Sequence, residues 1–316
     1  RVLFRSFFAG FAYVLCVWHF QHVLVMGRLP LGLFYGLLPW PFYFFERAMR
    51  GPIWPNAFSS SLLLGLLAFT HPGYAFWATA LFGAYAAGHL FHRRKWTIPA
   101  PYAAFFILLL GLVSGSYLTL GMWLEKEYTG LHAGFLLGGV PSPTWWHVLV
   151  WSNYRFWLFP SSEPFHWYGG YLGLSIIATA LFALYFCVFH RRTQWLSLWL
   201  PFTLSFLLVV AHDFPPLSQI ALIQAFPPVR YLLFITFFLS VAAGVGFRYL
   251  EVRARRSHYP RMPTLIFIIL LIDLGPTTFQ NPYLGSEGAT NILGYSNNIF
   301  LDVRERGYHR TAPASL

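Results

Sequence analysis

Apolar runs long enough to cross a lipid bilayer recur along most of this 316-residue chain. A membrane-spanning helix needs about 20 mostly apolar residues, because the hydrocarbon core contains no water to satisfy backbone polar groups. The composition agrees with repeated crossings, since 57% of the residues are hydrophobic and only 10% are charged. The sequence therefore predicts an all-α integral membrane protein.

The positions of these runs predict a polytopic bundle of about 8–9 transmembrane helices. The predicted spans cover residues 3–26, 31–46, 55–70, 72–92, 99–123, 170–190, 195–212, 228–248 and 263–278. The third and fourth spans meet at Thr70-His71-Pro72, almost without a loop. We expect a transmembrane domain over residues 1–278 and an extracytoplasmic C-terminal segment over residues 279–316.

Basic residues in the short loops predict the orientation. With nine spans counted, Arg47, Arg50 and three basic loops fall on one side, which the positive-inside rule assigns to the cytoplasm. The loops carry Arg93, Arg94, Lys95, Arg191, Arg192, Arg248, Arg253, Arg255, Arg256 and Arg261. The outer side then carries the His71 turn, a long loop over residues 124–169, Arg230 and the C-terminus. We read the net charge of +11 as this orientation signal, so we expect a multi-pass cell-membrane protein without a nucleic-acid partner.

The long outer loop is rich in aromatic residues. Its segment PTWWHVLVWSNYRFWLF predicts a helix lying in the outer membrane interface, because amphipathic rings prefer the headgroup level. Such a loop would suit a lipid-borne substrate, although an ordinary aromatic belt has the same pattern. Two further pairs, Gly111 with Gly115 and Gly169 with Gly173, predict close helix packing.

Several strings follow one another in an order that resembles a known family. They include LLLGLLAFTHPGYAF, SGSYLTLGMWLEKEY, PPLSQIALIQAFPPVRYLLFITFFLSVAAGVGF and LLIDLGPTTFQNPYL. Over nearly the whole chain, this order resembles the YfhO-like bacterial and archaeal membrane proteins, including those described as 6-pyruvoyl-tetrahydropterin synthase-related. That family is similar to C-type glycosyltransferases.

The resemblance implies transfer of a sugar from a polyprenyl-phosphate carrier to an outer-face acceptor. It also implies an acidic base in the first outer loop, which would precede Arg1, so we expect a missing N-terminal portion. Matched residue by residue, the family pattern places His71 at an outer turn, Glu125 at the outer end of a span and Arg230 after prolines at another outer end. A soluble extracytoplasmic domain commonly follows the last span in this family, and residues 296–316 would begin it.

The candidate phosphate-binding residues are outer-face cations. A guanidinium pairs bidentately with phosphate, so Arg230 is the first candidate, and Arg28 and Arg155 could share the role. His212 is a further candidate beside Asp213, although neighbouring side chains on a helix diverge. The alternative for Arg230 is an anchor that extends to ordinary lipid headgroups.

The candidate catalytic residues are Glu125, His71 and Asp213. A carboxylate at the outer end of a span, Glu125 or the nearby Glu127, could activate an acceptor hydroxyl or hold a divalent cation against a phosphate. No cofactor is otherwise indicated, and no metal site is predicted. Asp273, just before Gly275-Pro276, has the position of a helix-end residue.

Other functions remain open at this stage. Two histidine pairs, His19 with His22 and His89 with His92, are spaced i,i+3, so each pair shares a helix face. Membrane haem proteins use histidines on facing helices, so haem or metal binding is one alternative. A lipid or polymer transporter is the second class, and a non-catalytic subunit with fixed partner subunits is the third.

Overall fold

The computed structural model describes residues 2–16, 19, 29–92, 99–124, 171–189, 196–211, 214–219, 228–257, 259 and 261–279. Over these residues the chain is all helical and contains no β-strand. The α-helices are α1 (Val2–Val14), α2 (Leu29–Leu37), α3 (Pro39–Ala48), α4 (Ile53–Thr70), α5 (Pro72–His92), α6 (Pro99–Leu124), α7 (Leu174–Phe189), α8 (Leu196–Val210), α9 (Pro215–Ser218), α10 (Leu232–Arg256) and α11 (Met262–Phe279). A 3-10 turn, Pro228–Tyr231, leads directly into α10.

Three of these helices, α4, α6 and α10, are long and apolar enough to cross a membrane. Helices α7, α8 and α11 are also apolar but shorter. The third, fourth and later predicted spans each correspond to one helix with similar bounds. The structure therefore supports a helical membrane protein, while eight or nine crossings remain a prediction.

The first predicted span, 3–26, was wrong as a single helix, because α1 ends at Val14. Residues 17, 18 and 20–28 lie outside the described residues. The Val14 carbonyl oxygen lies 3.2 Å from Nδ1 of His19, and the His19 N–H donates to Sγ of Cys16. Side-chain atoms thus replace part of the backbone hydrogen bonding of a continuing helix. The sequence pattern did not reveal this end, since Leu15 and Cys16 are as apolar as the residues before them.

The second predicted span, 31–46, was wrong as a single helix, because α2 and α3 meet at Leu38. Pro39 has no N–H, so it cannot bond to the carbonyl of Tyr35 four residues earlier. The Tyr13 hydroxyl donates to that carbonyl at 2.8 Å, and the Tyr35 hydroxyl donates to the Tyr13 carbonyl at 2.7 Å. This reciprocal tyrosine pair joins α1 to α2 at the proline break.

Helix α10 forms the centre of the described bundle. Of the residues in its apolar window, 83% are buried, compared with 44% in α4 and 33% in α6. The helix continues beyond residue 248, where the predicted span ends, to Arg256. In this extension the buried carboxylate of Glu251 accepts hydrogen bonds from Arg248 and Arg255, each at 2.8 Å. These i,i+3 and i,i+4 ion pairs stabilise the additional turns.

Helices α4 and α6 approach closely along a line of small residues. A Cβ atom on Gly111 would lie 3.0 Å from Cβ of Leu64, and one on Gly115 would lie 3.0 Å from Cβ of Ala68. Larger side chains at these positions would push the two helices apart. The packing role predicted for Gly111 and Gly115 is therefore confirmed.

Side-chain contacts define two opposite ends of the bundle. Near the C-terminal ends of α3 and α5, Glu46 lies 3.1 Å from His89. At the starts of α5 and α10, the rings of Tyr74 and Phe234 lie 6.2 Å apart. Further along both helices, Phe42 of α3 packs against Phe82 of α5 and Phe238 of α10, with 5.3 and 5.6 Å between ring centroids. The two levels of contact follow in the same order along α5 and α10, so these helices run in the same direction. We call the end with their C-termini the basic end, since it carries Arg47, Arg50, Arg248, Arg253, Arg255 and Arg256, and the opposite end the His71 end.

Candidate functional site

Two of the predicted site residues, His71 and Arg230, lie in turns at the same end of the bundle. His71 separates α4 from α5, and Arg230 belongs to the 3-10 turn before α10. The two helix starts are in contact, because the ring of Trp77 packs edge-on against Tyr231 with 5.1 Å between centroids. Residues far apart in the sequence are thus placed at one end of the protein.

The local sequence explains the geometry of the His71 turn. Pro72 lacks an N–H and is well suited to the first position of a helix, so α4 ends and α5 begins here. Nδ1 of His71 lies 3.5 Å from the backbone N–H of Tyr74 and accepts its hydrogen bond. The two rings also pack edge-on, 4.6 Å apart. His71 therefore acts as the N-cap of α5 while its side chain stays half-exposed.

Arg230 lies where the electrostatic environment favours an anion. It is half-buried in the turn that begins at Pro228, and this turn is continuous with α10. Within the described residues, no side-chain hydrogen bond caps the start of α10 at Tyr231. The positive end of the α10 macrodipole therefore adds to the charge of the guanidinium.

The other predicted site residues lie outside the described residues. They are Arg28, Glu125, Arg155, His212 and Asp213. Glu127 and residues 125–169 of the aromatic outer loop also lie outside them. Their proximity to His71 and Arg230 remains a prediction.

Asp273 has a role that the sequence analysis did not recognise. It was interpreted as a helix-end residue, but α11 continues past it to Phe279. Its buried carboxylate accepts hydrogen bonds from the hydroxyl of Tyr171 and, at 2.7 Å, from the backbone N–H of Ser175. Asp273 therefore caps the start of a neighbouring helix, α7, whose first N–H groups have no partner within the helix.

Gly173 makes room for this cap. Its φ of 91° lies in the left-handed region, which residues with a side chain rarely adopt. A Cβ atom here would lie 2.7 Å from Cδ2 of Leu274 and 3.4 Å from Oδ2 of Asp273. Gly173 is thus a turn residue before α7 that lets α11 approach closely. Gly169 lies outside the described residues, so the predicted pair of Gly169 with Gly173 stays a prediction.

Glu46 is the centre of a polar cluster at the basic end. Its carboxylate accepts hydrogen bonds from the Tyr85 hydroxyl and from the Arg50 guanidinium, both at 2.6 Å. Nδ1 of His89 lies 3.1 Å from the same carboxylate. Three groups therefore orient Glu46, and Nε2 of His89 is buried without a hydrogen-bond partner among the described residues.

The sequence contains a partial signal for this cluster, in the form of two i,i+4 pairs of polar residues. Glu46 with Arg50 and Tyr85 with His89 are both i,i+4 pairs, so each pair shares a helix face. Spacing alone does not show that the two faces meet, because all of α4 lies between α3 and α5 in the sequence. Only the tertiary structure brings the pairs together.

A cavity of about 740 Å³ adjoins the Glu46 cluster, within the usual size range of small-molecule sites. Residues from α1, α3, α5, α8 and α10 line it. Its polar side includes Glu46, Arg47, Arg50 and Tyr85, while Phe42, Phe237 and Phe238 line its apolar side. The cavity is therefore amphipathic, with charge at the basic end of the bundle.

The histidine pairs considered as haem or metal ligands make other contacts. The His19 ring stacks on Tyr35 with 4.3 Å between centroids, and His89 bonds to Glu46. Within the described ranges, no group of three or more His, Cys, Asp and Glu side chains could hold a metal ion. His22 and the side chain of His92 lie outside the described part, so the haem alternative has no structural support but is not tested.

The cavity, the Glu46 cluster and the His71 end are the candidate functional features of the described residues. The resemblance to the YfhO-like family remains a prediction from the sequence strings. Comparison with known proteins finds no matching family model, no matching curated protein and no matching solved structure.

Proposed function

We propose that this chain belongs to a membrane glycosyltransferase that moves a sugar from a polyprenyl-phosphate carrier to an extracytoplasmic cell-envelope acceptor. The proposal comes from the sequence resemblance. One structural observation supports it: the His71 and Arg230 turns share one end of the bundle, opposite the arginine-rich end. By the positive-inside rule, that end faces away from the cytoplasm.

The chemistry at the His71 end suits a lipid-linked phosphate. A carrier of this class holds its phosphate at headgroup level and its tail in the hydrocarbon. The Arg230 guanidinium, together with the start of α10, offers positive charge to that phosphate.

The transfer itself needs a phosphate site and a base. The acceptor hydroxyl oxygen forms a bond to the anomeric carbon, and the sugar–phosphate bond breaks with its electron pair going to the phosphate oxygen. The proton of the hydroxyl passes to a base. Glu125, Asp213 and His71 are the candidates for that base in this chain.

The first test is the substitution Arg230→Ala in the complete protein, reconstituted in liposomes with a radiolabelled polyprenyl-phosphate sugar. We expect transfer to an added acceptor to fall by at least about tenfold, because a charge-assisted contact to the phosphate is lost. Arg256→Ala, an exposed arginine at the basic end, is the matched control and should keep normal transfer. Melting temperatures of both variants check that the fold is retained.

The same assay distinguishes the alternative functions. Unchanged transfer by the Arg230→Ala protein would remove the phosphate assignment. Movement of the labelled lipid across the bilayer without sugar transfer would indicate a transporter. If neither activity is detected and partner subunits co-purify in fixed amounts, the chain is a non-catalytic subunit.

A further inference from the structure

We infer that the cavity at the basic end binds one acyl chain of an anionic membrane phospholipid, with the lipid phosphate at Arg47 and Arg50. This site is separate from the proposed transfer site, since its charged rim lies at the C-terminal end of α3 and its lining shares no residue with the His71 and Arg230 turns. The rim and the walls of the cavity both favour a lipid.

The rim of the cavity carries one uncompensated positive charge. The exposed side chains of Arg47 and Arg50 both line it, and Glu46 pairs with Arg50 at 2.6 Å. Arg47 packs its guanidinium over the ring of Tyr43, 5.9 Å from the centroid, and forms no ion pair within the described residues. The Arg47 guanidinium is therefore available to pair with the single negative charge of a phosphodiester.

The walls of the cavity are suited to a hydrocarbon chain. The rings of Phe42, Phe237 and Phe238 contact one another, with centroids 4.9 to 5.6 Å apart. A free phosphate ion would contact only the rim and leave this apolar surface uncovered. An acyl chain would cover it, which favours a lipid over a soluble anion.

The headgroup preference is tested by native mass spectrometry of the complete chain. The probes are phosphatidylglycerol, phosphatidylcholine with the same acyl chains, and inorganic phosphate. We expect about tenfold stronger retention of phosphatidylglycerol than of phosphatidylcholine, because only the former leaves a net negative charge for the rim. Arg47→Gln should abolish this preference, whereas Arg256→Gln, an exposed arginine of the basic end outside the cavity lining, should keep it.

The position of the chain is tested by photo-crosslinking with phosphatidylglycerol that carries a diazirine in its acyl chain. We expect labelling of the α10 segment over residues 237–241, and competition by unlabelled phosphatidylglycerol. This readout on the unaltered protein does not depend on any variant folding.

Three results would overturn the proposal. They are equal retention of the two lipids, displacement of phosphatidylglycerol by inorganic phosphate alone, and labelling confined to the exposed face of α6 around Phe105 and Leu112. None of these measurements requires sugar transfer. Failure of the lipid site is therefore distinguishable from failure of the proposed function.

Discussion

At the scale of single residues, Asp273 connects two helices that are distant in the sequence. Its carboxylate accepts hydrogen bonds from the Tyr171 hydroxyl and the Ser175 N–H, which are 102 and 98 residues away. Away from water, these donors have no substitute if the carboxylate is removed. The start of α7 therefore depends on α11.

We expect Asp273→Ala to lower the stability of the protein by about 2 kcal/mol or more, because the helix cap is lost and the Tyr171 hydroxyl is left buried without its acceptor. The melting temperature in detergent measures this effect. Tyr171→Phe removes the hydroxyl that donates to Asp273 and accepts from the Leu174 N–H. It should destabilise less, since the Asp273 cap on the Ser175 N–H is kept. Tyr185→Phe, at an exposed position in α7, is the control and should leave the melting temperature unchanged.

At the scale of helices, the contact between α7 and α10 depends on a missing side chain. Gly246 of α10 lies against the backbone of α7, and a Cβ atom there would overlap the carbonyl oxygen of Thr179. Backbone atoms cannot move aside as the end of a flexible side chain can. The two helices would have to separate, which would disturb the packing of the central helix.

We therefore expect Gly246→Ala to destabilise the protein by about 1–3 kcal/mol. Gly36→Ala in α2 is the matched control, because nothing lies within 4 Å of a Cβ atom at that position. Thermal unfolding in detergent compares the two variants directly. Equal melting temperatures would show that α7 and α10 do not pack as closely as described.

At the scale of the whole molecule, the two ends of the bundle differ in charge. The starts of α5 and α10 lie at the His71 end, while the C-terminal turns of α3 and α10 bring Arg47, Arg50 and the α10 arginines to the basic end. The positive-inside rule places the basic end in the cytoplasm. The structure shows which residues share an end, and the membrane side of each end is a prediction.

This prediction is tested with single cysteines in a background where Cys16 and Cys187 are replaced by alanine. A cysteine at Gly73, in the exposed first turn of α5, should react with an impermeant maleimide in right-side-out vesicles. A cysteine at Arg256 should react only in inverted or permeabilised vesicles. The reverse pattern would invert the orientation, and labelling of both from one side would contradict a bundle that crosses the bilayer between its two ends.

Helix positions were largely predictable from the sequence, because an apolar run must satisfy its own backbone hydrogen bonds and does so within the segment. The turn at His71 was also predictable from the local sequence. Pro72 lacks an N–H, so α4 ends before it and α5 begins at it. The first two spans were wrong as single helices for different reasons. Pro39 marks the break between α2 and α3 in the sequence, because it lacks an N–H, and Tyr13 bonds to the carbonyl that this leaves free. The end of α1 has no such mark, since the residues around it are apolar.

The polar features depend on contacts between distant segments. The carboxylate of Glu46 meets Tyr85 across 39 residues of sequence, and Asp273 meets Ser175 across 98. Spacing on one helix shows which side chains share a face but not which other helix that face contacts. Hydrophobic periodicity and short-range hydrogen bonding thus specify the helices, whereas the Asp273 cap, the Glu46 cluster and the cavity arise from contacts between helices that are distant in the sequence.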